Sequence, residues 1–173
     1  DLTLLGHSMG AWLTVEALRQ LRLTGKNATL ARLNVILAAP DIDVDVFRSQ
    51  MRVIGPLTPP MTVLVSRDDK ALALSGRIAG ARKRLGTVDV DDPQVQAGAR
   101  AADVRIIDIS SVKASDKFNH DRFVTYATLY SRLGAMERRR ADNPGQAGAF
   151  IFSAVGKVVS SPFTLAGSVL SGQ

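Results

Sequence analysis

An α/β fold, with parallel strands joined by crossover helices, is the architecture this sequence predicts. Three observations carry that expectation. Four short apolar runs, at 2–5, 34–39, 61–65 and 104–109, alternate with stretches whose apolar residues recur at helical spacing. The connections between runs are too long for hairpins, so the strands they join should be parallel. The 173 residues are 46% hydrophobic, enough for one core of ordinary size and hence one domain. No internal repeat interrupts this order.

The first run reads as a buried strand and ends in a glycine-rich turn. From about Met9 to Leu21, Ala11, Val15, Leu18 and Leu21 fall on one helical face, with Glu16, Arg19 and Gln20 between them. Trp12 on this helix is expected in the core. Thr24-Gly25-Lys26-Asn27 supplies stop signals. The second run ends at Pro40, and 41–52 starts polar and continues as a short helix. Pro56, Pro59 and Pro60 break the chain before the third run. An Ala/Leu-rich helix is expected over 70–84, then an irregular polar surface excursion over 86–102. After the fourth run and a polar loop, the last helix is expected from His120 to about Arg139.

A strand buried on both faces needs neighbours, yet the first run begins at residue 2. The chain is therefore expected to be the C-terminal part of its domain. Residues 1–143 form that domain, and 144–173 form an apolar extension. Lys157 and Ser160-Ser161-Pro162 split the extension into halves, neither near the ~20 apolar residues of a membrane span. A helix packed on the domain, an interfacial segment and a flexible tail are the readings for it, in that order. Membrane contact through this tail stays open, as do oligomeric state and the choice between cytoplasm and cell envelope.

The net charge is +6. Its basic residues cluster as Arg82-Lys83-Arg84 and Arg138-Arg139-Arg140, which read as solvated helix ends favoured by the helix dipole. No aromatic residues interleave with them as base-stacking platforms, so no nucleic-acid partner is expected. The absence of cysteine excludes disulfides, thiolate metal sites and a cysteine nucleophile. Asp89, Asp91 and Asp92 lack the spacing of a calcium loop and read as a solvated loop. Neither a metal nor another cofactor is expected.

Gly6-His7-Ser8-Met9-Gly10 fits G-x-S-x-G, the pattern of a nucleophile elbow. Its context gives it weight, because a strand precedes it and a helix follows. A serine on so sharp a turn needs neighbours without side chains, and Gly6 and Gly10 are expected to provide that room. The turn lifts the hydroxyl to a helix N-terminus, where the Met9 N–H can stabilise an oxyanion.

Only two histidines exist, so the base can be sought by elimination. His7 adjoins Ser8 and leaves the turn in another direction, so it is expected to pack or hydrogen-bond locally. His120 follows the last strand, at the carboxyl edge where open parallel sheets gather functional groups. It is the candidate general base. Chain order, serine then acid then histidine, admits Asp68 and Asp69 after the third strand and Asp41 after the second. An aspartate before a helix is also an ordinary N-cap.

The pentapeptide resembles the elbow of α/β-hydrolases of the esterase and lipase type. Ala38-Ala39-Pro40-Asp41-Ile42-Asp43 with Val46-Phe47, then Val65-Ser66-Arg67-Asp68-Asp69-Lys70-Ala71-Leu72, resemble a bacterial branch known only as a domain of unknown function. The likeness runs from residue 1 to about residue 133. It implies an α/β-hydrolase fold from its fifth strand onward, and it favours Asp69 as the acid, with Asp68 and Asp41 as alternatives. It implies no substrate.

The expected chemistry is two-step acyl transfer on a small-molecule ester or acyl substrate. Ser8 is the nucleophile, His120 the base, Asp69 its orienting acid and Met9 N–H one oxyanion donor. In this fold the second donor comes from a loop after an earlier strand. The competing expectation is a non-catalytic binding or membrane-associated module that keeps the fold.

Overall fold

The computed structural model describes residues 2–128 and 157–159. Its single sheet has the order β1 (Leu2–His7), β2 (Leu33–Ala38), β3 (Met61–Val65), β4 (Val104–Asp108) and β5 (Lys157–Val159). The first four strands pair in parallel, with Leu2 opposite Leu33, Ile36 opposite Thr62 and Met61 opposite Val104. Between them run helices α1 (Met9–Leu23), α2 (Asn27–Leu30), α3 (Val44–Ile54), α4 (Lys70–Ile78) and α5 (Pro93–Ala101). This is the α/β arrangement that the alternating pattern predicts.

Strands β2 to β4 are covered on both faces, and strand periodicity of two divides the core between them, whereas β1, expected to be buried, leaves Leu2 63% and Leu5 50% exposed. Leu33, Val35 and Leu37 of β2, Met61, Val63 and Val65 of β3, and Val104 and Ile106 of β4 face one side. There they meet Ala11, Val15 and Leu18 of α1, Phe47, Met51 and Ile54 of α3, and Ala99 of α5. The intervening residues Ile36, Ala38, Leu64 and Ile107 face the other side, with Phe123 and Tyr126.

The structure differs from the sequence reading in several places. The third long helix ends at Ile78 rather than near Arg84, because Gly80 takes the left-handed conformation at φ 81° and Ala81 follows at φ 59°. Arg82-Lys83-Arg84 is consequently not a helix end: Arg82 and Lys83 are solvated, with Arg82 pairing with Asp43, but the Arg84 side chain is only 13% exposed and lies against Asp41.

Residues 86–102 are not an irregular excursion. Leu85, Val88 and Val90 are buried, and Asp92 caps α5 by accepting the Gln94 N–H at 2.8 Å ahead of Pro93. Aspartate followed by proline is a helix-start signal. The alternating aspartates concealed it.

The fifth strand is antiparallel to β4, with Ile106 opposite Val159. It lies in the stretch that composition set apart as an extension. Trp12 is 46% exposed rather than buried, lining an open groove between α1 and α3 with Glu16, Val46 and Gln50. The helix expected from His120 starts at residue 122 and is described to 128; its continuation, Arg138-Arg139-Arg140 and the rest of the apolar extension lie outside the described residues. Among the described residues no helix is long and apolar enough to cross a membrane.

Candidate active site

The turn from β1 to α1 has the strained backbone that its sequence requires. Ser8 adopts φ 53° and ψ −124°, a conformation that costs a residue with a side chain about 1–3 kcal/mol. Three backbone hydrogen bonds hold it there. Ser8 N–H donates to the Ala38 carbonyl at 3.0 Å, and the Ser8 carbonyl accepts from Ala11 and Asp41, each at 3.1 Å. The strain is thus fixed by the next strand as well as by the helix.

Gly6 is buried, and a Cβ on it would meet Thr14 Oγ1 at 2.6 Å and the Ala11 backbone at 2.8 Å. Only glycine lets α1 pack this closely on β1. Gly10 differs from expectation: a Cβ there would meet nothing within 4 Å. Its side of the turn is open among the described residues, so close packing there does not explain the second glycine.

A serine at a helix N-cap ordinarily accepts a hydrogen bond from the helix's first turn. Ser8 occupies the N-cap of α1 but makes no side-chain cap bond. Its half-buried hydroxyl is therefore released from structural duty. The adjacent Met9, 74% exposed, opens the helix with its N–H at the positive dipole end.

Asp69 and His120 meet across the carboxyl edge of the sheet. His120 Nδ1 lies 2.7 Å from Asp69 Oδ2, and the Asp69 side chain is fully buried. Asp69 also caps α4, its Oδ1 accepting the Leu72 N–H at 3.0 Å. N-cap and histidine partner are therefore not rival roles. One oxygen serves each. This hydrogen bond raises the His120 pKa; burial opposes it, while the charges of Asp69, Asp116 and Asp41 reinforce it.

The His120 backbone N–H donates to Asp116 Oδ1 at 2.9 Å, which fixes the loop that carries it. The imidazole packs against His7, with ring centroids 4.7 Å apart, and His7 packs in turn against Phe123 at 4.4 Å. His120 is thereby brought to the residue preceding Ser8, although no hydrogen bond joins it to the Ser8 hydroxyl. Burial and the neighbouring imidazole lower the His7 pKa, against the opposing influence of the His120 backbone and Asp69. His7 Nε2 is buried without a hydrogen-bond partner. Local packing is its role in this structure.

The alternative acids are engaged elsewhere. Asp41 accepts from Ser75 Oγ at 2.9 and 2.8 Å, and Arg84 Nε approaches it at 3.1 Å without hydrogen-bond alignment. Asp68 forms a two-oxygen pair with Arg122, accepting from Nη2 at 2.8 Å and from Nη1. Arg122 also donates to Ser66 Oγ at 2.5 Å. Sequence reasoning missed Arg122, Ser66 and Asn119. One signal was present: a cation in the first turn of a helix opposes the dipole and calls for a nearby anion.

A family model described as an alpha/beta hydrolase of unknown function (DUF900) matches residues 1–140. The chain belongs to that family. No curated protein and no solved structure matches it. For this α/β hydrolase, the strained turn at Ser8, the parallel sheet and the aspartate–histidine pair are all features of one carboxyl edge. The same edge holds the Met9 N–H that opens α1.

Proposed function

We propose that this α/β hydrolase is a serine ester hydrolase acting through an acyl-enzyme on Ser8. The observation that carries the proposal is the buried Asp69 carboxylate hydrogen-bonded to Nδ1 of His120, beside an N-cap serine whose hydroxyl caps nothing. A carboxylate at Nδ1 holds the proton on that nitrogen and leaves Nε2 as the basic one.

In the first step Ser8 Oγ attacks the ester carbonyl carbon, and its proton passes to His120 Nε2. The carbonyl oxygen becomes an oxyanion, for which the Met9 N–H is one donor. Collapse expels the alcohol, which takes the proton from His120. In the second step water gives a proton to His120 and attacks the acyl carbon; the acid departs and Ser8 regains its hydrogen. Asp69 stabilises the imidazolium each time without being protonated. Serine–histidine contacts are often long in ligand-free enzymes and tighten as substrate binds, which fits the absence of a Ser8–His120 hydrogen bond.

A fluorophosphonate tests the reading, because it reacts only with an activated serine. Labelling is expected at Ser8, abolished by Ser8→Ala and strongly slowed by His120→Ala. A folded chain in which Ser8 stays unlabelled would overturn the assignment. Unlabelled chain is then to be challenged with p-nitrophenyl esters of graded acyl length, with the labelled chain as the blocked control, to read the preference for ester substrates directly.

A further inference from the structure

The neighbouring carboxylates Asp68 and Asp69 point to different partners on the same short stretch of chain. Asp69 takes His120. Asp68 takes the residues on either side of it: Asn119 Nδ2 donates to the Asp68 carboxylate at 3.0 Å and its carbonyl at 3.3 Å, and Arg122 grips both carboxylate oxygens. Ser66 Oγ donates to Asp68 Oδ1 at 3.0 Å and accepts from Arg122, tying the pair to the end of β3. The Phe118 carbonyl accepts the Lys70 N–H at 2.9 Å. The turn 66–70 and the segment 118–122 are thus fastened on both sides of the Asp69–His120 bond.

We propose that Asp68, Arg122 and Asn119 are positioning residues for His120, setting the reach and angle of its imidazole toward Ser8. The inference rests on the reading of His120 as the general base. Three features of the site support it.

First, the Arg122 side chain is 9% exposed, so its charge was removed from water and needs this partner, while Asp68 is half exposed. Second, Asn119 stands at φ 60°, a left-handed conformation that asparagine tolerates better than most residues. That turn directs His120 back toward the sheet edge. Third, the pairing is two-pronged, and a planar guanidinium on a carboxylate fixes orientation as well as distance. Arg122 lowers the Asp68 pKa, so the grip stays charged across the range in which His120 titrates. The groups that face His120 are Asp69 from the β3–α4 turn, Asp116 from its own loop, Asp41 beyond β2 and His7 from β1. None of them is part of the grip.

The test uses the full chain and two readouts, the His120 pKa by NMR and the rate of fluorophosphonate labelling at Ser8. Arg122→Met should loosen the Asp69–His120 bond. The His120 pKa should then move down toward its ordinary value, and labelling should slow on the order of ten- to a hundredfold. Arg122→Lys should recover only part of the loss, because an ammonium cannot match both oxygens. Asn119→Gly removes one arm without leaving a buried charge and still accepts the left-handed backbone, and should shift both readouts in the same direction by less. It keeps the test decisive if Arg122→Met does not fold. Folded variants with unchanged His120 titration and unchanged labelling would overturn the positioning role. An unlabelled wild-type Ser8 would instead overturn the ester-hydrolase reading, while the His120 titration would still report on the grip.

Discussion

Asp69 Oδ2 and His120 Nδ1 stand 2.7 Å apart although 51 positions separate them in the chain. The fold joins them by running β3 and β4 side by side in parallel, so that the turn after one and the loop after the other emerge at the same edge. Asp69 is held by its cap on α4 and His120 by Asp116.

That relationship separates the three candidate acids by experiment. Asp69→Asn should reduce Ser8 labelling about a thousandfold or more, because an amide at Nδ1 favours the wrong tautomer. Asp41→Asn should change it only a few-fold at most, since Asp41 is occupied by Ser75 and Arg84. Comparable losses in the two variants would remove the distinction.

The pH dependence follows from the direction of the His120 shift. As the base of the proposed mechanism His120 works only when neutral, and its hydrogen bond to Asp69 raises its pKa above 6.5. Labelling should therefore rise with pH through a midpoint above 6.5. In Asp69→Asn the midpoint should move to lower pH even as the plateau falls. An unsubstituted chain with its midpoint below 6.5 would contradict this account.

Stability should respond to the two imidazoles with opposite signs. Folded His120 binds its proton more tightly than unfolded His120. Its stabilising contribution is full below pH 6.5 and fades as pH rises through the raised folded value. His7 is shifted down, so its contribution is present above pH 6.5 and is lost as pH falls through the lowered folded value. Urea midpoints of His120→Gln and His7→Gln, each compared with wild type across pH 5–8, should show differences of opposite slope.

The two glycines of the elbow should behave differently. Gly6→Ala drives a Cβ into the backbone of α1, and overpacking of this kind costs about 1–3 kcal/mol. Gly10→Ala enters open space inside a helix, where alanine is favoured by up to about 1 kcal/mol. Denaturant unfolding of the two variants measures both signs. A neutral Gly6→Ala would show that α1 is not pressed on β1 as closely as the structure has it.

The cap of α5 offers a test of the crossover that sequence reading did not resolve. Asp92→Ala should cost about 1 kcal/mol and hasten amide exchange in the first turn after Pro93. An irregular loop at this place would show neither effect.

Local chemistry in the sequence determined a good deal. Short apolar runs with helical stretches between them specify the parallel α/β sheet, because strands joined by long helical connections run parallel and take their cover from those helices. Gly6-His7-Ser8-Met9-Gly10 specifies the strained turn, since Gly6 alone can lie against Ala11 and Thr14. With two histidines in the chain, elimination singled out His120. What the sequence left open was the partner of each charge. Asp41, Asp68 and Asp69 all follow strands, and spacing along the chain does not reveal which carboxylate faces an imidazole. Only the adjacency of parallel strands decided that, sending Asp69 to His120, Asp68 to Arg122 and Asp41 to Arg84 and Ser75. Pairing energy depends on distances across the folded chain, and those distances exist only once the sheet has formed.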